Sequence, residues 1–142
     1  MTTRLETMRP GDEIPSLLKG PITRQHLAEW CAAENDYYAI HYDDRLAKSL
    51  GLPGAPIQGT YRNALMGQMV TRWLGPEGRL RKISCTYRSL DLEHQTLKCR
   101  GKVLRSETTA HGGEIELEIW VENDRGEVST SGRATVVFPL RR

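Results

Sequence analysis

Thr60-Tyr61-Arg62-Asn63-Ala64-Leu65-Met66-Gly67-Gln68-Met69-Val70-Thr71-Arg72-Trp73-Leu74, followed at once by Gly75-Pro76, is the stretch whose reading decides the fold. Met66, Met69, Val70 and Trp73 recur at i, i+3, i+4 and i+7, which puts them on one face of a helix. Leu65 widens that stripe, and Ala64 and Gly67 are small enough to let a sheet approach, so the spacing predicts a buried helix that Gly75-Pro76 ends. Beyond Pro76 the hydrophobic period changes to two. Ile83, Cys85 and Tyr87 alternate with polar residues; so do Leu97, Cys99, Gly101 and Val103, and then Ile115, Leu117, Ile119 and Val121. Asn123-Asp124-Arg125-Gly126 is a turn sequence leading into a last strand from about Val128 to Phe138. If the second and third strands form a hairpin around Thr108, Lys102 faces Glu114, Arg100 faces Glu116 and Lys98 faces Glu118.

Working upstream from the long helix, Gly54 and Pro56 keep the chain extended, and Asp43 can cap a short helix that runs through Leu50 and stops at Gly51 and Pro53. Further back, Thr23 can cap a helix over Arg24 to Glu34, with Leu27, Trp30 and Cys31 on its apolar face. The residues before Ile22 read as a polar lead-in containing proline. Two short helices, one long apolar helix and four antiparallel strands make an α+β pattern: a twisted sheet of four to six strands wrapped around a single central helix. A lone sheet of that kind leaves an edge and a broad face open, so a homodimer or a higher assembly is expected.

The chain of 142 residues suits one domain spanning 1–142. At 38% hydrophobic and 27% charged residues, it has the composition of a globular protein. Twenty basic against 18 acidic residues leave a formal charge of +2, which gives no reason to expect nucleic acid as partner. No run approaches the roughly 20 apolar residues of a membrane span, and the first residues lack an apolar signal core, so a cytoplasmic location without membrane association is expected. Cys31, Cys85 and Cys99 are widely spaced, with neither a CxxC pair nor an adjacent ligand histidine; they read as buried reduced thiols, with no metal site and no disulfide.

Between the first two helices lies Glu34-Asn35-Asp36-Tyr37-Tyr38-Ala39-Ile40-His41-Tyr42-Asp43-Asp44, dense in acids and carrying one histidine outside regular structure. A carboxylate and an imidazole on one irregular loop can share a water, one taking a proton from it and the other giving one to a substrate. Read alone, Asp36 serves equally as a turn residue and His41 as a half-buried side chain. Ile57-Gln58-Gly59-Thr60 adds a second feature, because its glycine opens the buried helix where backbone amides are unpaired and the dipole is positive. Such amides can stabilise the negative charge of a thioester enolate.

Asp36-x-x-x-x-His41, Ala47 six residues later, and Ile57-x-Gly59 before a long helix together resemble the signature of the MaoC-like, (R)-specific enoyl-CoA hydratases. The likeness is best from Ile22 to Gly75, with Gly101-Lys102-Val103 and Gly132-x-Ala134 as faint echoes beyond it. What the resemblance implies is a hot-dog fold, Asp36 and His41 acting on a catalytic water, and the thioester carbonyl bound at Gly59 with Ile57, Gln58 and Thr60 around it. It implies an acyl-CoA substrate and no further cofactor. Three positions depart from the usual pattern: Tyr38-Ala39 stands for Asn-Pro, Gln58 for a histidine, and Glu93-His94-Gln95 for Pro-Gly-Asp. The first change is expected to reshape the acyl pocket, and the second puts a neutral amide where an imidazole would touch substrate.

Two other functions compete with hydration or the reverse dehydration. A hot-dog thioesterase would commonly place a carboxylate on the central helix, and Thr60 to Leu74 has none. A weakly active subunit of a mixed hot-dog complex is the other. His26, His94 and His111 have no carboxylate at matching spacing, and Arg62, Arg72, Lys82 and Arg88 read as solvated surface.

Overall fold

A computed structural model describes residues 4–139. A short helix α1 (Arg4–Thr7) precedes strand β1 (Glu13–Lys19), helix α2 (Arg24–Glu34), a 3-10 turn at Ala39–His41, helix α3 (Asp44–Ser49) and the long helix α4 (Gly59–Leu74). Strands β2 (Arg79–Tyr87), β3 (Leu97–Thr109), β4 (Gly112–Glu122) and β5 (Val128–Pro139) follow. All pairings are antiparallel, in the order β1-β3-β4-β5-β2, and α4 lies against the sheet. The sequence reading thus has its helices in place, while the sheet has five strands where four were read.

The additional strand is β1. Its register shifts between Ile14 and Leu17 and leaves those two buried but Leu18 at 67% exposure, so the alternation that marks a strand is broken by a bulge. The β3–β4 register also differs from the expected one. Thr109 pairs with Gly112, so the turn is Ala110-His111; Lys102 faces Glu118, Arg100 faces Trp120 and Lys98 faces Glu122. A shift between Val103 and Arg105 then carries Arg105 opposite Glu116. Arg100 instead lies over the Trp120 ring, 5.4 Å from its centroid, and pairs with Glu13 at 2.8 Å and Glu122 at 3.3 Å.

Leu65, Met66, Met69, Val70 and Trp73 of α4 form the core with Cys99, Val103, Leu117, Ile119, Ala134 and Val136 from the sheet. The close approach is made by the strand and not by the helix. A Cβ on Gly101 would lie 3.0 Å from Ile14 Cδ1 and 3.3 Å from Met69 Cε, whereas one on Gly67 would find an ordinary contact at 3.9 Å. Among the described residues no helix is long and apolar enough to cross a membrane.

Candidate active site

The loop carrying Asp36 and His41 is fixed at both ends by local chemistry. Thr23 and His26 form a reciprocal capping box at the start of α2, which gives His26 a structural task. Asn35, at φ 57°, ends α2 in the left-handed conformation that asparagine tolerates, and Asp36 N–H donates to Cys31 O at 3.0 Å. At the far end Asp43 caps α3, its Oδ1 accepting from Arg45 N–H and Leu46 N–H. Arg24 reaches across from α2: it donates to Tyr42 O at 3.0 Å, to Asp44 at 2.7 Å and through two nitrogens to Glu93. The Glu93 carboxylate holds the Arg24 guanidinium well above its ordinary pKa, burial opposing and Asp44 adding.

Within this frame Asp36 is exposed and His41 buried. The Asp36 carboxylate accepts from Tyr38 N–H at 3.2 Å, and the Tyr38 ring meets the His41 ring edge-on, centroids 6.3 Å apart. Asp36 and His41 share no direct hydrogen bond or ion pair among the described contacts; Tyr38 links them. His41 Nδ1 lies 2.7 Å from Pro56 O. A carbonyl oxygen only accepts, so Nδ1 carries hydrogen, and in the neutral ring Nε2 keeps its lone pair. The contact sets the imidazole beside Pro56, immediately upstream of Ile57, Gln58 and Gly59. That segment is itself pinned, Ile57 N–H donating to Asp91 O at 2.7 Å and Pro56 bridging to Leu92.

Gly59 begins α4, and Gln58 gives it no side-chain cap, leaving the first amides of the helix without an intrahelical partner. Gln58 turns inward: at 2% exposure its Nε2 donates to Leu27 O at 2.9 Å and to Cys31 Sγ at 3.3 Å. Burial pushes the Cys31 thiol pKa up. The Oε1 of Gln58 and one carboxylate oxygen of Glu34 are buried with no hydrogen-bond partner among the described residues. Ile57 is 1% exposed and part of the core, and Thr60 Oγ1 accepts from Trp30 Nε1 at 2.9 Å. The space beside Gly59 is taken by an aromatic ring, since a Cβ there would lie 2.8 Å from Tyr87 Cε2 and Cζ.

Arg62 corrects one expectation. It is 3% exposed, not solvated, and donates to Ser89 O at 2.8 Å and to the fully buried Asp91 at 3.3 Å. Among the described residues no group of three or more His, Cys, Asp or Glu gathers in a way that could hold a metal ion. Cavities of about 660, 450 and 290 Å³ lie away from the dyad: one between Arg79, His111 and Phe138, one between Cys85, Glu118 and Arg133, and one between Leu17, Met69 and Trp73.

No family model matches the sequence. No curated protein matches it either. Solved structures do match, and they define the class of architecture. The (R)-hydratase of A. caviae involved in PHA biosynthesis superposes with a TM-score of 0.84 at 16% identity, over 94% of this chain and 99% of that one. The MaoC-like dehydratase of Rhodospirillum rubrum gives 0.82 at 18% identity, over 97% of each chain. The ChsH1–ChsH2 complex of Mycobacterium tuberculosis gives 0.78 at 18% identity, over 92% of this chain and 98% of that one. The chain therefore has the hot-dog fold, in the form that (R)-hydratases and MaoC-like dehydratases share.

Proposed function

We propose that this chain adds water across the double bond of trans-2-enoyl-CoA thioesters to give 3-hydroxyacyl-CoA, or removes it in the reverse direction. The observation that carries the reading is the placement of Asp36 and His41 on one anchored loop beside the opening of α4, with Nδ1 of His41 committed to Pro56. In this reading the water lies between the Asp36 carboxylate, which orients it, and His41 Nε2, which takes its proton as the oxygen bonds to C3. The π electrons of C2=C3 move into the thioester, and the enolate oxygen is met by the unpaired amides at Gly59 and Thr60. Return of the proton to C2 completes the addition with every atom accounted for. Gln58 and Ile57, both buried, support the site from beneath.

The test is hydration of crotonyl-CoA, followed by loss of conjugated-thioester absorbance. Asp36→Asn and His41→Ala are each expected to lose at least about 100-fold in turnover while circular dichroism stays that of the parent. Parent-like hydration by both variants ends the assignment. Release of free thiol from saturated acyl-CoA would favour a thioesterase instead, although α4 carries no Asp or Glu.

A further inference from the structure

Tyr87 closes β2 where that strand passes the start of α4, and its ring fills the space that a Gly59 side chain would take. One turn further along the helix, the Arg62 guanidinium carbon lies 5.1 Å from the centre of the same ring. Arg62 is held from several directions: Ser89 O at 2.8 Å, Asp91 Oδ2 at 3.3 Å and Ser129 O at 3.5 Å, with the Ser129 hydroxyl donating in turn to Asp91. Desolvating two charges is a poor way to gain net stability, so such a pair is better understood by what it fixes. Here it fixes a ring that is itself 45% exposed. A phenol braced against a buried cation and open to solvent, next to unpaired helix amides, suits a polar acyl group with an apolar flank.

We propose that Tyr87 is a substrate-positioning residue, its ring walling the thioester carbonyl site at the opening of α4 and its hydroxyl donating a hydrogen bond to the substrate. Arg62 and Asp91 act through it as the pair that holds the ring. The proposal rests on the reading of that opening as a thioester site. Burial, with Cys85 alongside, pushes the phenol up to about 12, so it remains a donor throughout the neutral range.

The experiment measures kcat and KM for crotonyl-CoA, and Kd for the saturated thioester butyryl-CoA by calorimetry, in the parent, Tyr87→Phe and Tyr87→Ala. Tyr87→Ala is expected to raise KM and Kd about tenfold or more with a smaller fall in kcat, and Tyr87→Phe to lose about threefold in kcat/KM. Arg62→Lys keeps the charge but loses the planar contact, and is expected to shift KM in the direction of Tyr87→Ala while kcat holds. Unchanged KM and Kd in a folded Tyr87→Ala overturns the proposal. If the parent binds butyryl-CoA without hydrating crotonyl-CoA, the hydratase reading fails and Tyr87 is judged on Kd alone. A parent that binds neither thioester overturns both.

Discussion

Asp91 holds a carboxylate that solvent does not reach, and its compensation comes from Arg62 and Ser129. Taking one charge from such a pair strands the other. Asp91→Asn is therefore expected to cost about 3 kcal/mol in urea unfolding, well above an ordinary surface change. An unchanged midpoint would mean that the Arg62 charge is compensated elsewhere. At this scale the sequence singles out Asp36, His41 and Gly59 as candidates, because charge density in an aperiodic loop and glycine before an apolar helix are visible in one dimension. Arg62 and Tyr87 were not seen as a unit: Asp91 is 29 positions from Arg62, and a charge on a helix reads by default as solvated. A usable signal was present, since Arg62 precedes Leu65, Met66 and Met69 at three, four and seven positions, on the same buried stripe. The bonds that Gln58 makes to Leu27 and Cys31 on α2 are announced by no local pattern.

Among the elements, α2, α3 and α4 were legible because capping residues and a helical period agree about where each begins. β1 was hidden by its bulge at Pro15-Ser16, which places two exposed residues between Ile14 and Leu17. The β3–β4 register was displaced because alternation alone is satisfied by any even slip, and charge pairing is too weak to choose among slips. The packing of α4 on the sheet supplies a sharper test. With 3.0 Å to Ile14 and 3.3 Å to Met69 from the position of an added Cβ, Gly101→Val is expected to destabilise by about 2 kcal/mol, read from thermal or urea unfolding. Tolerance of valine would show that helix and strand separate more easily than the packed core suggests.

For the molecule as a whole, a buried thiol and a half-exposed phenol set an alkaline limit. Burial pushes the Cys99 thiol from 9.0 up to about 12, and Tyr87 rises from 10.0 to about 12. Both folded-state values are raised, so both groups favour the fold while protonated. That stabilisation is complete below pH 9 and is lost as pH climbs toward 12. For Cys99, fully buried, the loss reaches on the order of 4 kcal/mol at the upper end. Urea midpoints measured from pH 8 to 11.5 should hold level and then fall, and Cys99→Ala should flatten the fall after allowing for its own cavity. A midpoint independent of pH across that range would contradict the buried state of the thiol.

The segment from Asp91 to Gln95 receives Ile57, Arg24, Arg62 and the backbone of Ile22, all of them emitted earlier by the ribosome. A nascent chain that has released α2, α3 and α4 but not this segment owns every proposed reactive side chain and the loop's own local contacts, but lacks the ties that hold Ile22, Arg24, Ile57 and Arg62 in place. In refolding, helical signal should accordingly recover ahead of turnover, with competence arriving only when that late-made stretch locks down.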